Sequence, residues 1–162
     1  MYEQTGVRRP EKRIRRKKEE IDKDVYLIIK SVEKQLLNSL KPAYIKDLNS
    51  FQRKQVYRYF EKKESEYSIK TYKEEENTVI KVYPVGVLRR LAEQKTQEVL
   101  MNGREEELPP MGAYERFIIH DYLKDRGGVS TVSTGVSGKD RRIRIVPSYG
   151  RHLRKAKKRL TR

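Results

Sequence analysis

Apolar residues return along this chain in two rhythms, and their alternation predicts its elements. Val25, Ile28, Ile29 and Leu36 are spaced i, i+3, i+4 and i+11, one stripe of an α-helix, with Leu37 beside it. The same spacing returns at Leu88, Leu91, Ala92, Val99 and Leu100, displaced by 63 residues. That displacement also lays Ile45, Leu48 and Phe51 on Leu108, Met111 and Tyr114, Arg53 on Arg116, Tyr59 on Tyr122, and Phe60 on Leu123. Farther on it lays Ile69 on Val132, Ile80 on Ile143, Val82 on Ile145 and Pro84 on Pro147. Only six of the 62 aligned pairs are identical, so the repeat rests on the order of apolar faces, not on identity.

Each unit reads as helix, strand, helix, strand, strand. In the second, a helix spans about 87–101 and stops at Asn102–Gly103. A short strand around 107–111 contains Pro109 and Pro110, which donate nothing to a ladder and so confine it to an edge. A second helix over about 113–124 offers Ile118, Ile119, Tyr122 and Leu123 to a core, and Gly127–Gly128 breaks it. Two strands follow, joined by a polar loop at 135–140. In the last, Ile143 and Ile145 point one way and Arg142 and Arg144 the other.

Composition narrows the picture. The chain has 162 residues, 35% apolar and 38% charged, enough for one ordinary domain or two very small ones with lean cores. Lys and Arg number 39 against 23 Asp and Glu, a net +16, which favours polyanionic partners. The surplus sits at the ends: +4 in residues 1–20, +7 in 151–162, and only +5 between them. With no Cys, disulfides and thiolate metal sites are excluded. No apolar run approaches the roughly 20 residues of a membrane span. The N-terminus lacks the apolar core of a secretion signal, and Glu3, Glu11, Glu19 and Glu20 argue against a transit peptide. A cytoplasmic protein without membrane insertion is expected.

The ordered set Leu108–His120 (LPPMGAYERFIIH), Val129–Gly135 (VSTVSTG) and Arg141–Pro147 (RRIRIVP) is the most informative stretch. It resembles the R-3-H domain, named for its Arg-x-x-x-His signature, as found in bacterial Jag-type RNA-binding proteins. The resemblance implies an α+β fold: small units of three-stranded sheet with two helices on one face, here in tandem with basic tails. It also implies binding of single-stranded nucleic acid. The expected boundaries are a basic arm at 1–21, a degenerate R-3-H-like unit at 22–86, an R-3-H domain at 87–150 and a basic tail at 151–162. Jag-type proteins carry a KH domain ahead of the R-3-H domain, and its GxxG loop is missing from residues 25–86. The first unit therefore reads as a degenerate copy, a KH remnant or something unrelated.

Arg116 and His120 lie one helical turn apart at the edge of the core stripe. A guanidinium there can hold a phosphate through two hydrogen bonds, and an imidazole can stack on a base. The competing reading is a pair of half-buried polar residues tying helix to sheet. Arg141, Arg142 and Arg144, with Lys139 in the loop, form a basic strip beside Ser130, Thr131, Ser133 and Thr134. In the first unit Arg53 keeps its place but Tyr57 stands where His120 would be. In the tail, Arg151, Arg154, Lys155, Lys157 and Lys158 surround an apolar face of Leu153, Ala156 and Leu160. Eleven Tyr against three Phe and no Trp leave some rings, such as Tyr67, Tyr72 and Tyr149, free to stack bases.

Enzymatic readings fail. His120–Asp121 would need further His ligands, and the other His is His152 in the tail. Gly138–Lys139 lacks both the preceding Gly and the following Ser or Thr of a P-loop. Gly135–Gly138 matches a GxxG string but lies between strands. The expectation is a non-enzymatic protein with no catalytic residues, metal or cofactor, binding single-stranded RNA in preference to DNA. The alternative is a small basic structural subunit of a ribosome or other ribonucleoprotein particle.

Overall fold

Among the described residues, two of the four helices start on a side-chain cap, and a third ends on a left-handed glycine. A computed structural model of the protein describes residues 21–74 and 77–148. Helix α1 (Lys23–Leu36) starts at Asp22, whose carboxylate accepts the Asp24 N–H at 3.1 Å. After β1 (Ala43–Ile45), α2 (Ser50–Glu61) opens on a reciprocal capping box. In it Asn49 accepts the Gln52 N–H at 2.9 Å, and Gln52 accepts the Asn49 N–H at 3.1 Å. Strands β2 (Ser68–Glu74) and β3 (Asn77–Tyr83) follow. Helix α3 (Val85–Asn102) closes on Gly103, left-handed at φ 66°, whose N–H bonds the Val99 carbonyl. Then come β4 (Glu106–Glu107), α4 (Ala113–Leu123), β5 (Val129–Thr134) and β6 (Arg142–Pro147).

The strands form two antiparallel three-stranded sheets, ordered β1-β3-β2 and β4-β6-β5. Both halves thus share element order and strand order, with the last strand in the middle, and the fold is α+β. Val25, Ile29, Val32 and Leu36 of α1 meet Val56 and Phe60 of α2 over Ile80 and Val82 of β3. In the second half Leu88, Ala92 and Val99 of α3 meet Ile118, Ile119 and Leu123 of α4 over Ile143 and Ile145 of β6. Strand alternation explains why one sheet face is dry in each case.

The structure adjusts the sequence expectations in four places. Leu37, one position past the buried stripe of α1, is 61% exposed. Tyr122 is also exposed; its ring lies beneath the Arg89 guanidinium at 5.6 Å instead of entering the core. β4 is cut to two residues, because Pro109 and Pro110 interrupt the ladder. Leu108 and Met111 still donate to the carbonyls of Ile143 and Arg141, at 2.8 and 3.1 Å. The 63-residue displacement also slips by one. Val82 faces Ile69, whereas its counterpart Ile145 faces Thr131, not Val132. The segment before β5, residues 124–128, is one residue shorter than its counterpart, residues 62–67.

The halves adjoin through α4 and β3. The Tyr83 and Tyr114 rings pack edge to face at 4.5 Å, and Tyr114 hydrogen-bonds Ser68 at 2.9 Å. The Gly86 N–H reaches back to the Glu66 carbonyl at 3.0 Å.

Candidate nucleic-acid interface

Arg116 and His120 share a face of α4, but their hydrogen bonds go to different partners. Arg116 Nη1 donates to the Met111 carbonyl at 2.7 Å. The Met111 N–H in turn donates to the Arg141 carbonyl, so the backbone of one residue couples Arg116 to the start of β6. His120 instead reaches the sheet. Nδ1 lies 2.7 Å from Thr131 Oγ1 and Nε2 lies 2.9 Å from Ser133 Oγ. Those hydroxyls face the helices because Thr131 and Ser133 stand opposite the inward Ile145 and Ile143.

Burial, reinforced by the nearby positive charge of Arg116, pushes the His120 pKa below its usual value. The ring is therefore neutral at pH 7, with one nitrogen donating and the other accepting. With both nitrogens engaged, its remaining contact surface is the ring face. The geometry fastens α4 to β5 and leaves Arg116 beside an uncharged ring.

The hairpin arginines divide into two kinds. Arg142 and Arg144 lie on the sheet face away from the helices, where carboxylates hold both. Arg144 Nη2 meets Glu107 at 2.7 Å and its Nη1 meets Glu105 at 3.3 Å. Arg142 pairs with Glu107 at 3.4 Å and with Asp140 at 3.7 Å. Arg141 follows the alternation to the helix side and is half-buried. Its Nε is buried without a hydrogen-bond partner, and it has no ion pair among the described residues. Arg116 likewise has no carboxylate partner among the described residues.

Lys139 is exposed in the loop between β5 and β6, which Asp140 folds by accepting the Val136 N–H at 2.8 Å. Gly135 there has φ 87°, and a side chain at that position would press on the Asp140 backbone. The tail residues Arg151, Arg154, Lys155, Lys157 and Lys158 lie outside the described residues.

The first half repeats this plan with substitutions. Arg53 Nη1 donates to the Leu48 carbonyl at 3.1 Å, the counterpart of the bond from Arg116 to Met111. Its Nη2 is spent on Ser50 at 3.0 Å. The Tyr57 hydroxyl bonds Thr71, which stands in register where Ser133 does. Ile69 occupies the place of Thr131, so one hydroxyl meets one hydroxyl where the imidazole meets two.

Sequence reasoning missed the carboxylates of Glu105 and Glu107 that neutralise Arg142 and Arg144. The signal was present: an acidic run on an edge strand placed by the fold against alternating arginines. Among the described residues no group of His, Cys, Asp or Glu could hold a metal ion, and no helix is long and apolar enough to cross a membrane. Comparison with curated proteins and with solved structures gives no match to the chain. Residues 87–147 match the model of the R-3-H domain, a single-stranded nucleic-acid-binding rather than a catalytic family.

Proposed function

We propose that the protein binds single-stranded RNA through the edge formed by Arg116, Arg141 and the ring face of His120, with the terminal arms adding charge-driven affinity. The observation that supports this edge over the open face of the second sheet is the division between the edge's arginines and those of that face. Arg142 and Arg144 are already neutralised by carboxylates, whereas Arg116 and Arg141 have none among the described residues. A guanidinium beside a neutral imidazole is a ready ligand for a phosphate, and the ring face is a surface for a base. On this reading residues 22–86 are a degenerate copy of the same unit. It keeps the carbonyl-capping Arg53, but Tyr57 replaces the histidine.

The reading predicts binding that weakens steeply with salt and favours unpaired strands. Roughly six to ten neutralised phosphates give a log–log salt slope of about −4 to −7, at ~0.7 per contact. Fluorescence anisotropy with a labelled single strand, its DNA equivalent and its duplex tests this. The expected order is RNA strand, DNA strand, then duplex. Equal affinity for duplex and single strand would overturn the reading.

A further inference from the structure

The open face of the first sheet differs in kind from that of the second. In the first half, strand alternation sends Ile80, Val82, Ala43 and Ile45 into the core. It sends Tyr44, Lys70, Tyr72, Lys81 and Tyr83 to the opposite face. Lys81 Nζ lies between two rings, 5.2 Å from the centre of Tyr44 and 4.3 Å from that of Tyr72. The Tyr72 hydroxyl meets that of Tyr83 at 3.1 Å, and Tyr83 packs against Tyr114 of α4. Tyr114 lies under Lys70 at 4.5 Å and is stacked with Phe117 at 5.8 Å and 20°.

Five rings and two ammonium groups thus form one continuous strip across both halves. Its two ends are open to solvent, with Tyr44 55% exposed, Tyr72 36% and Phe117 57%, while Tyr83 between them is buried in the core of the second half.

The sheet itself does not need the exposed rings Tyr44 and Tyr72. In the second sheet Glu107 stands where Tyr44 does, Thr134 where Tyr72 does, and Val146 where Tyr83 does. That sheet builds the same architecture with an open face of ion pairs. On the first sheet the corresponding face carries Tyr44, Ser68, Lys70, Tyr72, Lys81 and Tyr83, and its one carboxylate position is Glu74 at the far end of β2. Neither Lys70 nor Lys81 has an ion pair among the described residues.

We infer that this aromatic and basic strip is a second binding surface, on which the bases of a single strand stack while Lys70 and Lys81 meet the phosphates. Stacking on exposed rings flanked by cations is how sequence-tolerant single-strand binders work, since every base has a π-face and a duplex hides its own. An acidic peptide would satisfy the lysines and leave the rings unused. The inference shares its ligand class with the proposed function, and it places a base-dependent site apart from the Arg116 edge.

The test uses the full chain and two labelled probes: a single-stranded oligouridine about 12 nucleotides long and an abasic strand of the same length. Tyr44→Ala combined with Tyr72→Ala removes two solvent-exposed rings. Oligouridine affinity is expected to fall roughly tenfold for each ring removed, with little change for the abasic strand. Tyr44→Phe with Tyr72→Phe should bind oligouridine like wild type. If the alanine variant matches wild type while Arg116→Ala is impaired, the strip is not a binding surface and the proposed function stands. If the alanine variant is impaired while Arg116→Ala binds normally, the strip stands and the Arg116 edge falls. Equal losses on both probes would reduce the strip to general charge and overturn the inference. So would a polyglutamate peptide binding as tightly as oligouridine and being lost in the alanine variant.

Discussion

His120 shows how one residue can be read two ways and built a third. Its spacing from Arg116 pointed to a phosphate ligand or a structural pair, but the hydrogen bonds bypass Arg116 and join α4 to Thr131 and Ser133. Because its folded pKa lies below the unfolded value, the ring contributes stability that is fully present above the unfolded pKa. That stability is lost as the pH falls through the folded value, since the unfolded chain takes up the proton more readily. Thermal melts between pH 7 and pH 5 should therefore show a falling Tm, and His120→Gln should lose most of that fall. A variant with the same pH profile as wild type would show that His120 does not report through this contact. Tyr57 carries no charge to lose in that range. The Arg-x-x-x-His spacing was visible in the chain, but the partners of His120 were not. They depend on a strand register that places Thr131 and Ser133 inward, and register is fixed only when the sheet forms.

At the scale of elements, a buried-edge network binds the first two helices. Burial pulls the Glu33 carboxyl upward, but hydrogen bonds from Lys63, Lys30 and Tyr59 outweigh it and hold the pKa at about 2. With the folded pKa depressed, its stabilisation is complete above the ordinary carboxylate range and is lost as pH falls through about 2. Glu33→Gln should cost about 1–2 kcal/mol at pH 7, the lower part of the range for charged hydrogen bonds, because both lysines are substantially solvated. Urea unfolding measures it, and an unchanged midpoint would deny the network any role. This acid window is separate from that of His120, so the two effects can be resolved in one titration.

Helices and strands were legible because apolar periods of 3.6 and 2 survive in a lean core. The strand slip was not, since Ile69 and Val132 are both apolar and align more naturally than Ile69 with Thr131. The pairing of Arg144 with Glu107 spans 37 residues and was hidden for the same reason.

Across the whole molecule, two halves of one architecture present different chemistry. The second half holds the Arg116 edge and an open sheet face closed by ion pairs. The first replaces His120 by Tyr57 and covers its open face with tyrosines and lysines. A net charge of +16 would make any such chain adhere to nucleic acid, so affinity alone does not separate a built site from general attraction. The separation comes from comparing arginines of equal charge.

Arg141 is the cleanest probe, because its buried Nε has no hydrogen-bond partner and its removal costs the fold no such bond. Arg116 is the stronger one, though its loss also frees the Met111 carbonyl. The decisive measurement is fluorescence anisotropy with a short single-stranded RNA for Arg116→Ala, Arg141→Ala and the tail variant Arg159→Ala, each first checked by thermal melt. A built edge predicts a loss of roughly 1.5–3 kcal/mol for Arg116→Ala and a comparable one for Arg141→Ala. It predicts only a small loss for Arg159→Ala. Folded Arg116 and Arg141 variants that bind no more weakly than the Arg159 variant would contradict it.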